Sequence, residues 1–171
     1  VEYSKGCHHL NLDKTSFPKA IKAAKKATVI ILTLGGKSGF SGDSTSGETR
    51  DRANITLPGV QEDLILEMAK LGKPMVGILI NGRPYALGNV IDKFDALIEG
   101  WLPGVHGAEA IANVLFGDYN PSGKLPLTLP RAVGQVPIYY NHKPSSMHSQ
   151  FLGDYVDLPV TPLFSFGHGL S

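Results

Sequence analysis

Apolar residues along the chain fall into two rhythms that alternate. Phe17, Ile21 and Ala24 recur at helical spacing, with Ser16 placed to cap and Pro18 in the first turn, so a helix is predicted to about Ala27. Residues 28–34 then form a continuous β-branched and aliphatic run ending in Gly35-Gly36, the pattern of a strand buried on both faces. Val60, Leu64, Met68 and Leu71 restore the helical stripe, with Pro58 near its start and Gly72 past its end. Residues 75–80 read as a second buried strand, and Asn81-Gly82-Arg83-Pro84 as a turn, because proline forces the residue before it out of the helical region. Residues 95–101 predict a third strand closed by Pro103-Gly104. Ala108, Ile111, Ala112 and Leu115 mark a third helix ending at Gly117, and residues 125–129 read as a strand that Pro126 sends to an edge.

Helix, strand, helix, strand, strand, helix, strand is the order of an α/β protein. The expectation is one domain over residues 1–171: a three-layer α/β/α sandwich, mostly parallel, with helices on both faces and one antiparallel edge strand. Ligands of such folds gather at the C-terminal ends of the strands. Residues 36–56 leave one of these ends as a polar stretch of Gly, Ser, Thr, Asp, Glu and Arg, long enough for a loop of its kind to be functional or disordered. Residues 135–171 show no steady period and should wrap the surface with one or two short strands.

Composition narrows the function classes. The 171 residues are 42 % apolar, enough for one buried core. Sixteen basic and 15 acidic residues nearly balance at a net +1 with no basic stripe, which argues against nucleic acid as a partner. The apolar runs are far shorter than the roughly 20 residues of a spanning helix, so no membrane partner is expected. Cys7 is the single cysteine, which rules out an internal disulfide and a cysteine-based metal site. Both ends, Val1-Glu2-Tyr3 and Gly169-Leu170-Ser171, read as cut from something longer, and Asn54-Ile55-Thr56 is a glycosylation sequon.

Four chemistries can be weighed on the loop and its surroundings. Gly36-Lys37-Ser38 follows a strand as the end of a phosphate loop would, but the glycine needed five residues earlier is Ile31. Ser38, Ser41 and Ser46 neighbour glycines, yet none sits in the G-x-S-x-G of a nucleophile elbow. His8-His9 are adjacent, and His142, His148 and His168 lack ligand spacing, so no metal and no cofactor is expected. Glu48, in Ser46-Gly47-Glu48-Thr49-Arg50-Asp51-Arg52, is the remaining candidate. Glycosidic cleavage commonly needs two carboxyl groups, one of which protonates the leaving oxygen. A glutamate on a long loop can close over a sugar and become that acid, although most loop carboxylates are simply solvated.

A resemblance changes that balance. The stretch from Phe40-Ser41-Gly42-Asp43 through Glu48 to Arg52, then Leu57-Pro58-Gly59 and Gln61, resembles the acid/base loop and following helix of family 3 glycoside hydrolases. Asn81-Gly82-Arg83-Pro84, Trp101-Leu102-Pro103-Gly104 and Gly117-Asp118-Tyr119-Asn120-Pro121-Ser122-Gly123-Lys124-Leu125-Pro126 are similar to its later landmarks. So are Gly134-Gln135-Val136-Pro137-Ile138-Tyr139-Tyr140 and the closing Phe166-Gly167-His168-Gly169-Leu170-Ser171. The resemblance implies the second, C-terminal domain of a retaining exo-acting β-glucosidase or β-xylosidase, whose partners are a β-linked glucoside or xyloside and a (β/α)8 barrel of the same protein. By position Glu48 is the implied acid/base, and Phe40, Asp43, Arg50 and Arg52 are implied substrate contacts in a loop the family varies heavily. The barrel would hold the aspartate nucleophile, so the chain alone should not turn over, and a periplasmic or secreted location is favoured over a cytoplasmic one. The competing function is a stand-alone carbohydrate-binding or scaffold module. Outside the loop, Trp101 reads as core and His168 as part of a tight terminal turn.

Overall fold

A computed structural model describes residues 1–143 and 154–170. His148 and Ser171 lie outside the described residues.

The three predicted helices form, as do three of the four predicted strands. Helix α1 spans Phe17–Ala24, strand β1 Ile30–Gly35, helix α2 Gln61–Ala69, strand β2 Met75–Ile80, strand β3 Ala96–Glu99 and helix α3 Gly107–Phe116. Ser16 occupies the N-cap position of α1, but its hydroxyl makes no capping bond, and the helix yields to tighter turns after Ala24. Helix α2 carries Glu62 and Asp63 in its first turn, where the helix dipole favours negative charge. Gly117 ends α3 at φ 85°, a left-handed conformation glycine adopts without a Cβ penalty.

The three strands form a parallel sheet in the order β1-β2-β3, with Ile30 beside Met75 and Val76 beside Ala96. One face of it packs on the first two helices. Ile30, Leu32, Leu34, Met75 and Leu79 bury themselves against Phe17, Ala20, Ala24, Leu64, Ile65 and Met68. The other face meets α3 at its far end, where Ile80 and Ile111 flank Gly100.

Two expectations need correction. There is no antiparallel edge strand among the described residues: the structure is an α/β sandwich with a parallel three-stranded sheet flanked by helices. The segment predicted as that edge, residues 125–129, pairs instead with the chain's last turn. Leu125 N donates to His168 O, Gly167 N to Leu125 O, Leu129 N to Phe164 O and Leu163 N to Leu129 O. Pro126 and Pro130 have no N–H to offer a ladder, which leaves only an isolated antiparallel bridge between Leu129 and Phe164. Secondly, β1 is not buried on both faces. Ile31 is 47 % exposed and Thr33 is exposed as well, because no helix among the described residues lies over that side of β1.

No helix of the described residues is long and apolar enough to cross a membrane.

Candidate functional site

The polar stretch 36–56 leaves the C-terminal end of β1, and its root is fixed by side chains that bond to backbone. Gln61, in the first turn of α2, is 3 % exposed and grips Gly35 from both sides: Gly35 N donates to its Oε1 at 2.8 Å, and its Nε2 donates to Gly35 O at 2.8 Å. The same Nε2 also donates to Pro58 O at 3.0 Å and His9 O at 3.2 Å. A buried amide with this many partners holds strand end, helix start and N-terminal segment in one arrangement.

One step further out, Thr45 does the same for Lys37. Lys37 N donates to Thr45 Oγ1 at 3.1 Å, Thr45 Oγ1 donates to Lys37 O at 3.2 Å, and Thr45 N donates to Lys37 O at 2.8 Å. Beneath this pair only glycine fits at position 36, since a Cβ there would lie 2.3 Å from both Thr45 Oγ1 and the Tyr85 hydroxyl. The two limbs of the loop then cross. Gly39 N donates to Ser46 O at 3.0 Å, and a Cβ on Gly47 would lie 2.6 Å from Gly39 O.

Phe40 and Glu48 are the residues that leave this crossing, one on each limb, and both face solvent, Phe40 with 77 % of its surface exposed. Glu48 makes no hydrogen bond or ion pair among the described residues. Next to it Thr49 holds φ 59°, a conformation costly for a β-branched residue and therefore imposed by its surroundings. Arg50 N donates to Gly47 O, which closes a tight turn around the glutamate.

The remaining candidate residues are engaged with the loop itself. Arg50 Nη2 donates to Gly42 O at 2.7 Å, and Arg52 Nη1 donates to Thr56 O at 3.0 Å. Arg83, from the turn after β2, donates to Arg52 O and pairs with Asp51. Asp43 receives the Lys37 ammonium on both carboxylate oxygens, at 2.8 and 3.0 Å, and that contact, seconded by the Ser41 hydroxyl, holds its carboxyl far below the usual carboxylate range. Loop-shaping is thus what Asp43, Arg50 and Arg52 do here, while Phe40 and Glu48 are presented free.

The structure also assembles groups that spacing along the chain does not reveal. His9 Nε2 lies 2.9 Å from Asp43 O, so the loop is tied back to the N-terminal segment. Trp101, expected in the core, is half-buried with φ 49° at the same end of the sheet, its carbonyl accepting from Asn81 N at 3.0 Å.

Beside it, burial pushes the Glu99 carboxyl up to about 7, against the opposing hydrogen bonds from Trp101 N and the Asn81 side chain. Its Oε2 and Asn81 Oδ1 are both buried without a partner. The folded protein therefore holds a proton on Glu99 that the unfolded chain, with the ordinary value of 4.5, releases. More protons in the folded state mean that stability falls as pH rises from about 4.5 to about 7. After discounting for partial solvent access the loss is on the order of 1–2 kcal/mol. Urea unfolding from pH 4.5 to 8 should show this slope, and Glu99→Gln should flatten it; an unchanged slope in the variant would remove Glu99 as its source.

Comparison with known proteins agrees with the fold. The family model described as "Glycosyl hydrolase family 3 C-terminal domain" matches residues 3–171. The chain is 42 % identical over 171 residues to a beta-xylosidase of Formosa agariphila, covering 100 % of this chain and 23 % of that protein. It is 44 % identical over 159 residues to a periplasmic beta-glucosidase of Salmonella typhimurium, covering 90 % of this chain and 20 % of that one. Among solved structures, the beta-glucosidase from Listeria innocua in complex with glucose superposes with a TM-score of 0.81 at 33 % identity, over 96 % of this chain and 23 % of that chain. The chain thus spans about a fifth to a quarter of the length of these relatives.

Proposed function

Since the chain belongs to the glycosyl hydrolase family 3 C-terminal domain family, we propose that it supplies the acid/base carboxyl, Glu48, of a retaining exo-acting β-glycosidase that removes terminal β-linked glucose or xylose. The observation that carries this reading is the presentation of Glu48: an exposed, unpaired carboxylate on a cross-braced loop at the C-terminal end of a parallel sheet.

In the proposed enzyme a (β/α)8 barrel joined to this domain holds the substrate and an aspartate nucleophile. The nucleophile attacks the anomeric carbon while protonated Glu48 gives its proton to the leaving oxygen, and a glycosyl-enzyme ester forms as the glycosidic bond breaks. Glu48, now a carboxylate, then takes a proton from water, whose oxygen attacks the same carbon and frees the nucleophile. Docking of the barrel and sugar would expel water from around Glu48. Phe40 offers an exposed ring for the apolar face of a sugar, and Arg50, Arg52 and Asp43 set the loop's shape around it. A periplasmic or secreted enzyme suits this reading, in keeping with the periplasmic name of the Salmonella relative.

An acid without its nucleophile cannot form the covalent intermediate. The isolated chain is therefore expected to release no nitrophenol from nitrophenyl β-glucoside or β-xyloside above the buffer rate. Turnover by the isolated chain that Glu48→Gln abolishes would overturn the two-domain site. Saturable sugar binding by the isolated chain that survives the same substitution would favour a carbohydrate-binding module.

A further inference from the structure

Adjacent histidines fail as a metal pair by chain spacing alone, yet the fold brings a third ligand to them. His8, His9 and Asp43 are each partly buried and each offer a ligand atom, all within 4.8 Å of one another. Asp43 arrives from the loop 34 residues later. Its carbonyl lies 2.9 Å and its Oδ2 3.9 Å from His9 Nε2, so two oxygens of one residue converge on the same imidazole nitrogen. His8 Nδ1 accepts from Leu10 N and Asn11 N at 3.2 and 3.4 Å, which leaves Nε2 as the ring nitrogen of His8 without a partner among the described residues. Of the three, only His9 lines the neighbouring cleft of about 410 Å³, together with Lys37.

We propose that His8, His9 and Asp43 bind a divalent first-row transition ion of the Zn2+ kind, which displaces the Lys37 ammonium from Asp43 and staples the N-terminal segment to the loop carrying Glu48. Two imidazoles and one carboxylate, with water in the fourth position, are a donor set for zinc rather than for calcium or magnesium, which take oxygen ligands. Tetrahedral zinc holds its ligand atoms roughly 3.3 Å apart, so His9 Nε2 and Asp43 Oδ2 need to close by about 0.6 Å and the widest pair of the three by up to about 1.5 Å. On binding, the ion takes the place of the His9 Nε2 proton, which moves to Nδ1 or is released. Lys37 is the cation that neutralises the site without a metal, and its displacement distinguishes a metal site from a purely structural cluster.

The test uses the tag-free protein, titrated with Co2+ and followed by the visible absorption of tetrahedral cobalt, with Zn2+ as competitor. One equivalent should bind. His9→Ala and Asp43→Asn should each weaken binding by at least about tenfold, whereas Lys37→Met should tighten it several-fold by removing the competing ammonium. Zn2+ should slow tryptic cleavage after Arg50 in the wild type and not in His9→Ala. Absence of saturable binding, binding unchanged in His9→Ala, or no tightening in Lys37→Met would each overturn the proposal. None of these readouts uses glycoside hydrolysis, so the metal site and the catalytic reading fail separately.

Discussion

Glu48→Gln, introduced into this domain joined to the proposed (β/α)8 barrel, is expected to slow cleavage of an unactivated β-glycoside by about 10²–10⁴-fold, the range for loss of a positioned general acid. The amide keeps the shape of the carboxyl and cannot deliver a proton. The size of the loss should depend on the leaving group. A sugar leaving group needs the proton, so kcat/KM should collapse; a nitrophenol leaves as a stable anion, so its first step should be much less affected. With the nitrophenyl substrate the variant should then stall at the glycosyl-enzyme, because water has lost its base, and a burst of nitrophenol should precede slow turnover. Azide, a nucleophile that needs no base, should restore the second step and yield the β-glycosyl azide. Because Glu48 is exposed and makes no hydrogen bond or ion pair among the described residues, melting temperature should not move. Equal kcat/KM for wild type and variant on the unactivated substrate would end the assignment.

Gln61→Leu is expected to have the largest effect on stability. The substitution nearly conserves volume but leaves Gly35 N–H and C=O, at the buried end of β1, without the partners they now have at 2.8 Å. Pro58 O and His9 O lose theirs too. A buried backbone group deprived of its partner costs about 1–3 kcal/mol, and two such groups in one network put the loss at roughly 2–4 kcal/mol. For a chain of this size that corresponds to a fall in melting temperature of about 5–15 °C. Gln61→Glu should do no better, since one carboxylate oxygen would face Gly35 O, where an N–H donor is needed. A melting point within about one degree of wild type would show that the loop root does not depend on this amide. In the joined enzyme the same substitution should also lower kcat, because Glu48 stands on the loop whose root Gln61 fixes.

The sequence was most readable where a residue type settles its own conformation. Gly117 ends α3 as expected, and the apolar stripes of α1 and α2 face the core. It was least readable where the outcome depends on residues far along the chain. The run 28–34 looks the same whether one face or two is covered, and only the placement of the helices leaves Ile31 exposed. Residues 125–129 have strand composition, but their partners are residues 163–168, which no local pattern announces. Glu48 is a candidate from its loop chemistry together with a family resemblance, whereas nothing local marks Gln61 beyond its place in a motif. Its role depends on Gly35, 26 residues earlier, lying against it. Adjacent His8 and His9 lack ligand spacing along the chain, and Asp43, which the fold brings to them, lies 34 residues beyond His9 in the loop of the implied substrate contacts.

The uncovered side of β1 bears on how the domain behaves in a tube. At its outer edge no strand among the described residues pairs with β1; Gln61 takes the N–H and C=O of Gly35 there, and Val29 and Ile31 stand along that edge at 44 and 47 % exposure. An exposed β-branched edge is a template for another copy of itself. Preparations of the separate domain should therefore associate as they are concentrated, through strand addition at β1. A lysine in place of Ile31 is the single change that should keep them monodisperse.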